Sequence, residues 1–162
     1  MNPPHSETAK ENTVCQMSMM KRLHHVSGWR KRKLDELHKI FRKIADKSME
    51  TVILVEGKKD RSALRVLGIP GKIICMKHSG QILFDVLDQM SDREVILLLD
   101  FDDYGISLAM KITQYLEEKR VKVNSVFWRK LRGLVRRDVK DIEGIPSYLE
   151  KLKKRPTVKL DT

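Results

Sequence analysis

The chain has 162 residues, with 33 Lys and Arg against 22 Asp and Glu and a formal net charge of +11; its pI is near 9.7. That length suits one domain with a substantial core, and no apolar run approaches the ~20 residues that span a bilayer or resembles a signal-peptide core. The positive excess points to a polyanionic partner, nucleic acid ahead of a membrane surface, while Cys15 and Cys75 alone build neither a disulfide framework nor a zinc site, so the expected location is cytoplasmic.

Residues 1–27 are polar, with Pro3 and Pro4 and little periodicity, and are expected to be a disordered extension. Met17, Met19 and Met20 lie just before the first periodic segment, and the natural start is expected there. From Trp29 to about Lys47 the spacing predicts a helix with Leu34, Leu37, Ile40, Phe41 and Ile44 on one stripe. Its other face carries Arg30, Lys31, Arg32, Lys33, Lys39, Arg42 and Lys43, a solvated face or an extension of a nucleic-acid footprint.

Val52–Val55 reads as a short β-branched strand ending in Glu56-Gly57. Lys58, Lys59 and Asp60 open a helix with Ala63, Leu64 and Leu67 inward, stopped by Gly68 and Pro70. Lys72–Met76 is a second strand, followed by the loop Lys77-His78-Ser79-Gly80 and an amphipathic helix over 81–90. Val95–Leu99 runs without a polar break, as a strand buried on both faces does. Asp100, Asp102 and Asp103 follow it, and Gly105 opens a helix to about Lys119 with Ile106, Ala109, Ile112, Tyr115 and Leu116 inward. Alternation over 121–128 predicts a fourth strand, and Ile145, Tyr148, Leu149 and Leu152 dock a last short helix. Strand–helix alternation without an internal repeat predicts an α/β fold with about four parallel strands and helices on both faces. The expected bounds are 28–155 for this single domain, with 156–162 as a tail.

Parallel strands deliver their carboxyl ends to one edge, where such sheets bind ligands. Glu56 from the first strand and Asp100 and Asp102 from the third therefore converge with the His78–Gly80 loop. Carboxylates packed together repel unless solvated, protonated or met by a cation, and Asp-x-Asp suits a hard oxygen-ligated ion such as magnesium. The helix opening at Gly105 turns its positive end to the same rim, which favours a phosphate. Gly57-Lys58 lacks the spacing of a nucleotide-binding phosphate loop. Asp100-x-Asp102 sits on the third strand, not the first, and continues Asp103-Tyr104, unlike haloacid-dehalogenase phosphatases; a phospho-receiver domain would want an acidic pair after its first strand. Tyr104 is expected to be structural or to line the groove. Trp128, Arg129, Lys130, Arg132, Arg136 and Arg137 mix an aromatic with cations, the combination that single-strand binding uses.

Val55-Glu56-Gly57-x-x-Asp60, a glycine after the second strand (Gly80), and Asp100-x-Asp102-x-x-Gly105 after an apolar strand resemble the Toprim domain over roughly residues 50–130. Topoisomerases, bacterial-type primases, OLD-type nucleases, recombination proteins and a nuclease that matures small ribosomal RNA share this Rossmann-like domain. The span of about 30–155, including Lys140-Asp141-Ile142-Glu143-Gly144, is similar to small archaeal stand-alone Toprim proteins. The resemblance implies that Glu56, Asp100 and Asp102 hold one or two magnesium ions, with manganese as a substitute, and that Glu56 alternatively acts as a general acid or base. Asp60, Gly57, Gly80 and Gly105 support the site, Asp103 is an outer helper, and Lys58 and His78 are candidates for phosphate contact or proton transfer. The expected activity is metal-dependent phosphodiester chemistry on RNA or DNA, most simply nuclease-type hydrolysis. The alternative is a non-catalytic nucleic-acid or ribonucleoprotein binding module of the same fold. Oligomeric state has no signature in the sequence.

Overall fold

The computed structural model describes residues 7–78 and 94–154, with side chains over 28–77 and 94–154. Helix α1 (Glu7–Ser48) is followed by β1 (Val52–Val55), α2 (Lys58–Val66), β2 (Ile73–Cys75) and a short 3-10 turn at Met76–His78. Then come β3 (Glu94–Leu97), α3 (Asp103–Glu118), β4 (Lys122–Asn124), α4 (Val126–Val135) and α5 (Ile145–Lys153). The helix expected over 81–90, and Gly80, lie outside the described residues.

The four strands form one parallel sheet in the order β2-β1-β3-β4. Leu54 pairs with Ile74 on one side and Leu97 on the other, and Ile96 pairs with Asn124. The centre goes to the most apolar strands: Ile53, Leu54, Val55 and every residue from Val95 to Leu99 are fully buried. On α1, Leu37, Ile40, Phe41 and Ile44 recur at helical spacing and are buried, while Lys31, Arg32, Lys39, Arg42 and Lys43 of the basic face are exposed and Lys33 turns inward to Asp138. Helix α1 packs against α4 and α5, and Lys47 near its end pairs with Glu94 at 2.7 Å. A Cβ at Gly71 would run into the Ser48 carbonyl. That position must stay bare where the chain enters β2.

Two boundaries differ from expectation. Helix α1 continues upstream of Trp29 to Glu7, through a segment expected to lack regular structure; no proline or glycine interrupts it between Glu7 and Ser27. The fourth strand ends at Asn124 instead of continuing to Trp128, because the Asn124 side chain accepts the Val126 N–H at 3.1 Å and turns the chain into α4. Trp128, Leu131 and Val135 then form a buried stripe at helical, not strand, spacing. No helix among the described residues is long and apolar enough to cross a membrane.

Candidate metal centre at the carboxyl edge of the sheet

Glu56 follows the last residue of β1 and is 1% exposed. Its Oε1 accepts the backbone N–H of Asp100 at 3.3 Å, and its Oε2 lies 3.1 Å from the Lys77 ammonium. The Lys77 N–H donates to the Glu56 carbonyl at 3.0 Å, which fixes the turn after β2 against the end of β1. Three neighbouring strands thus bring Glu56, Lys77 and Asp100 to one edge.

The α3 start is built from its own sequence. Asp102 is the N-cap, its Oδ1 accepting the Gly105 N–H at 2.8 Å. A Cβ at Gly105 would run into the Asp100 carbonyl, so only glycine lets the first turn of α3 approach the end of β3 this closely. Asp60 plays a matching part at α2, where its buried carboxylate accepts the Gly57 N–H at 2.9 Å. The two glycines therefore serve the site differently: Gly57 donates its N–H, and Gly105 supplies space.

Burial pushes the Asp100 carboxyl up to about 7, and the charges of Glu56, Asp60, Asp141 and Asp102 add to the effect. Burial likewise raises Asp60, with Glu56, Glu143 and Asp141 adding, although the Gly57 N–H works in the opposite direction. Among the described residues, the buried Oδ1 of Asp100 has no hydrogen-bond partner. An orphaned carboxylate oxygen beside a second buried carboxylate is what a hard cation would relieve. No three Asp, Glu, His or Cys side chains form a ready coordination cage among the described residues. Magnesium does not require one, since it commonly binds through one or two carboxylates, waters and substrate phosphates. Glu56 and Asp100 fit that role, and Asp102 keeps one oxygen that does not cap α3.

The other candidates separate clearly. Lys58 is exposed at the start of α2, where it lines a surface cavity of about 600 Å³ with Lys59, Ser62, Asp141 and Glu143. His78 ends the turn after β2. Asp103 and Tyr104 are exposed in the first turn of α3, so Tyr104 stands at the rim, not in the core. Trp128 departs from its expected role as a stacking platform: it is buried, and its Nε1–H donates to the Leu99 carbonyl at 2.8 Å. It clamps α4 onto the strand end that carries Asp100. Arg129, Lys130, Arg136 and Arg137 are exposed, whereas Arg132 is half-buried, its Nε without a partner among the described residues.

Two residues not singled out from sequence belong to the site. Lys77 could have been suspected from its place in the loop after β2. Asp141 was visible in the Lys140–Gly144 stretch, but nothing local shows that the Phe101 N–H donates to the Lys140 carbonyl at 2.7 Å and draws that loop to the edge.

The Toprim domain model matches residues 50–127. A UPF0292 protein of Thermococcus kodakarensis is 39% identical over 113 residues, covering 68% of this chain and 84% of the relative. One from Methanocaldococcus jannaschii is 32% identical over 72% of this chain and 92% of the relative. One from Methanosarcina acetivorans is 30% identical over 81% and 92% respectively. Among solved structures, a protein from Aquifex aeolicus superposes with a TM-score of 0.56 at 28% identity, covering 65% of this chain and 94% of that one. A Toprim match, extended on both sides by similarity to these archaeal proteins, leads to one conclusion: the chain belongs to the UPF0292 family and carries a Toprim domain.

Proposed function

We propose that this chain is a magnesium-dependent phosphodiesterase acting on nucleic acid by nuclease-type hydrolysis, with Glu56, Asp100 and Asp102 holding the ion. The observation that carries the proposal is the buried Oδ1 of Asp100, without a hydrogen-bond partner among the described residues, beside the almost wholly buried Glu56. The Toprim domain, in general a metal-binding unit associated with nucleic acid, supports it. So does a net charge of +11 on a chain that nevertheless gathers carboxylates at one edge.

Bound there, magnesium would polarise a phosphoryl oxygen and stabilise the departing oxygen. The chain's own groups do the positioning. The Asp100 N–H orients Glu56, and Gly105 orients Asp102. Lys77, whose side chain is 57% exposed at the rim, has its ammonium within reach of a phosphate that approaches the edge. The amino end of α3 faces the same rim and favours negative charge. Lys58 and the exposed cations of α4 extend the field that attracts a polyanion.

One observation favours the second reading, a nucleic-acid binding module without turnover. Lys77 already supplies a counter-charge to Glu56, so part of the carboxylate cluster is neutralised by the chain itself. Labelled RNA and DNA substrates incubated with magnesium or manganese, beside the Glu56→Gln variant, separate the two. Cleavage that the variant loses supports hydrolysis. Salt-sensitive binding by both proteins without cleavage by either supports the module.

A further inference from the structure

Helices α1 and α4 enclose a groove of about 430 Å³ whose described lining includes none of the edge carboxylates. Its rims carry Lys39 and Lys43 from α1 and Arg129 and Lys130 from α4, all exposed. Among the described residues no ion pair or hydrogen bond engages any of these four side chains. Among the described residues that line the groove Glu36 is the one acid, so their balance is strongly positive. Gathering such charge is unfavourable unless solvent or an anion meets it.

The floor is not polar. Ile40 is buried, and Phe127 and Leu134 pack against the core with part of their surface open to the groove. A merely solvated basic face needs no such floor.

Gly133 adds an independent observation. It lies inside α4 on the groove wall, where glycine is about 1 kcal/mol less favourable than alanine. A Cβ there would meet nothing within 4 Å, and its φ is not in the left-handed region. Neither packing among the described residues nor backbone conformation calls for glycine, and the bare position leaves room for a ligand to lie close to the helix.

We propose that the α1–α4 groove seats single-stranded nucleic acid, with one unstacked base on the Phe127 floor and flanking phosphates on Lys39, Lys43, Arg129 and Lys130. Cations around an aromatic and apolar floor suit a strand whose bases can turn outward, whereas a duplex keeps its bases stacked inside. The inference rests on the nucleic-acid part of the proposed function and not on the metal.

The test is fluorescence anisotropy in EDTA, with labelled oligo-dT or oligo-U, a duplex of equal length, and polyglutamate as competitor. The full chain is compared with Gly133→Leu, which improves helix propensity while filling the groove, and with the double variant Lys39→Ala, Arg129→Ala. Single strands should bind about tenfold tighter than duplex, and Gly133→Leu should remove most of that preference without lowering the melting temperature. The double variant should reduce the slope of log affinity against log salt by about 1.4, at ~0.7 for each phosphate no longer neutralised. Equal affinity for duplex, displacement by polyglutamate as effective as by oligonucleotide, or unchanged binding by Gly133→Leu would each overturn the proposal. Single-strand preference in EDTA without cleavage in magnesium would support the groove and reject the hydrolytic reading.

Discussion

The ammonium of Lys77 stands 3.1 Å from Oε2 of Glu56, a carboxylate with 1% of its surface exposed. A charge that deep needs compensation, and Lys77 supplies it from the rim, anchored by its own N–H on the Glu56 carbonyl. The pair therefore behaves as a carboxylate with a tethered cation that a divalent ion would displace. Lys77→Met should lower the metal-free melting temperature by about 3 °C, corresponding to ~1 kcal/mol after allowance for the exposure of the ammonium. Magnesium should then stabilise the variant more than the wild type, because its competitor is gone. Thermal melts across a magnesium series check this; identical melts and identical magnesium responses would refute the competition.

Asp100 gives the site a pH signature. Its carboxyl is raised to about 7, by burial first and then by Glu56, Asp60, Asp141 and Asp102. The native chain therefore binds this proton more tightly than the unfolded chain. The associated stability is fully present below the usual carboxylate range and disappears as pH rises through about 7. Asp100→Asn should remove that dependence and melt higher than wild type at pH 8, by ~1 kcal/mol once partial exposure is discounted. At pH 4 the two should melt alike. Melts at both pH values in EDTA decide it, and a variant that is less stable at pH 8 would show that the carboxylate is not strained.

Much of this edge is legible in the sequence. Val52–Val55 and Val95–Leu99 read as buried strands because they are short, β-branched or aliphatic, and unbroken. Parallel topology then brings Glu56 and Asp100 to one edge, where the Glu56 carboxylate accepts the Asp100 backbone N–H at 3.3 Å. What stayed hidden depends on contacts far apart in sequence. Trp128 looked like a surface aromatic among cations, yet its partner is Leu99, 29 positions away. Asp141 enters the field of Asp100 only through the Phe101–Lys140 hydrogen bond. Strand β4 ends before the alternation over 121–128 does, because Asn124 and Val126 close a turn that composition does not reveal.

A second pH dependence belongs to the scaffold. Lys33 of α1 lies 2.8 Å from Asp138 and sits over the rings of Trp29 and Tyr148, at 4.8 and 5.2 Å. The Tyr148 hydroxyl donates to the same Asp138 oxygen at 2.8 Å. The hydrogen bond from Lys33, then that from Tyr148, hold Asp138 below the usual carboxylate range against the opposing effect of burial. A depressed carboxylate stabilises the fold above its unfolded pKa and loses that contribution as pH falls through its folded value. Lys33→Met should lower the melting temperature at pH 7, with the difference from wild type shrinking as pH falls below the carboxylate range. A difference of the same size at pH 7 and pH 3 would show that packing on Trp29 and Tyr148, not charge, is what Lys33 contributes.

Gly105→Ala tests the close approach of α3 to β3. The added methyl would meet the Asp100 carbonyl, and either α3 or the strand end must shift. The expected loss is about 2–3 kcal/mol, in the range of overpacked core positions, together with loss of any stabilisation by magnesium. Gly133→Ala, whose Cβ meets nothing, is the control and should be neutral or stabilising by up to ~1 kcal/mol. Denaturant melts of the two variants measure both, and equal stability would contradict the assigned packing.

The most direct measurement is a calorimetric titration of magnesium into the full chain, with Asp100→Asn beside it. Glu56 and Asp100, with Asp102 alongside, are expected to give saturable binding by the wild type at millimolar or lower magnesium. The same titration should be flat for the variant, which should keep a cooperative unfolding transition. No saturable binding by the wild type, or equal binding by both proteins, would contradict a divalent cation held at this edge.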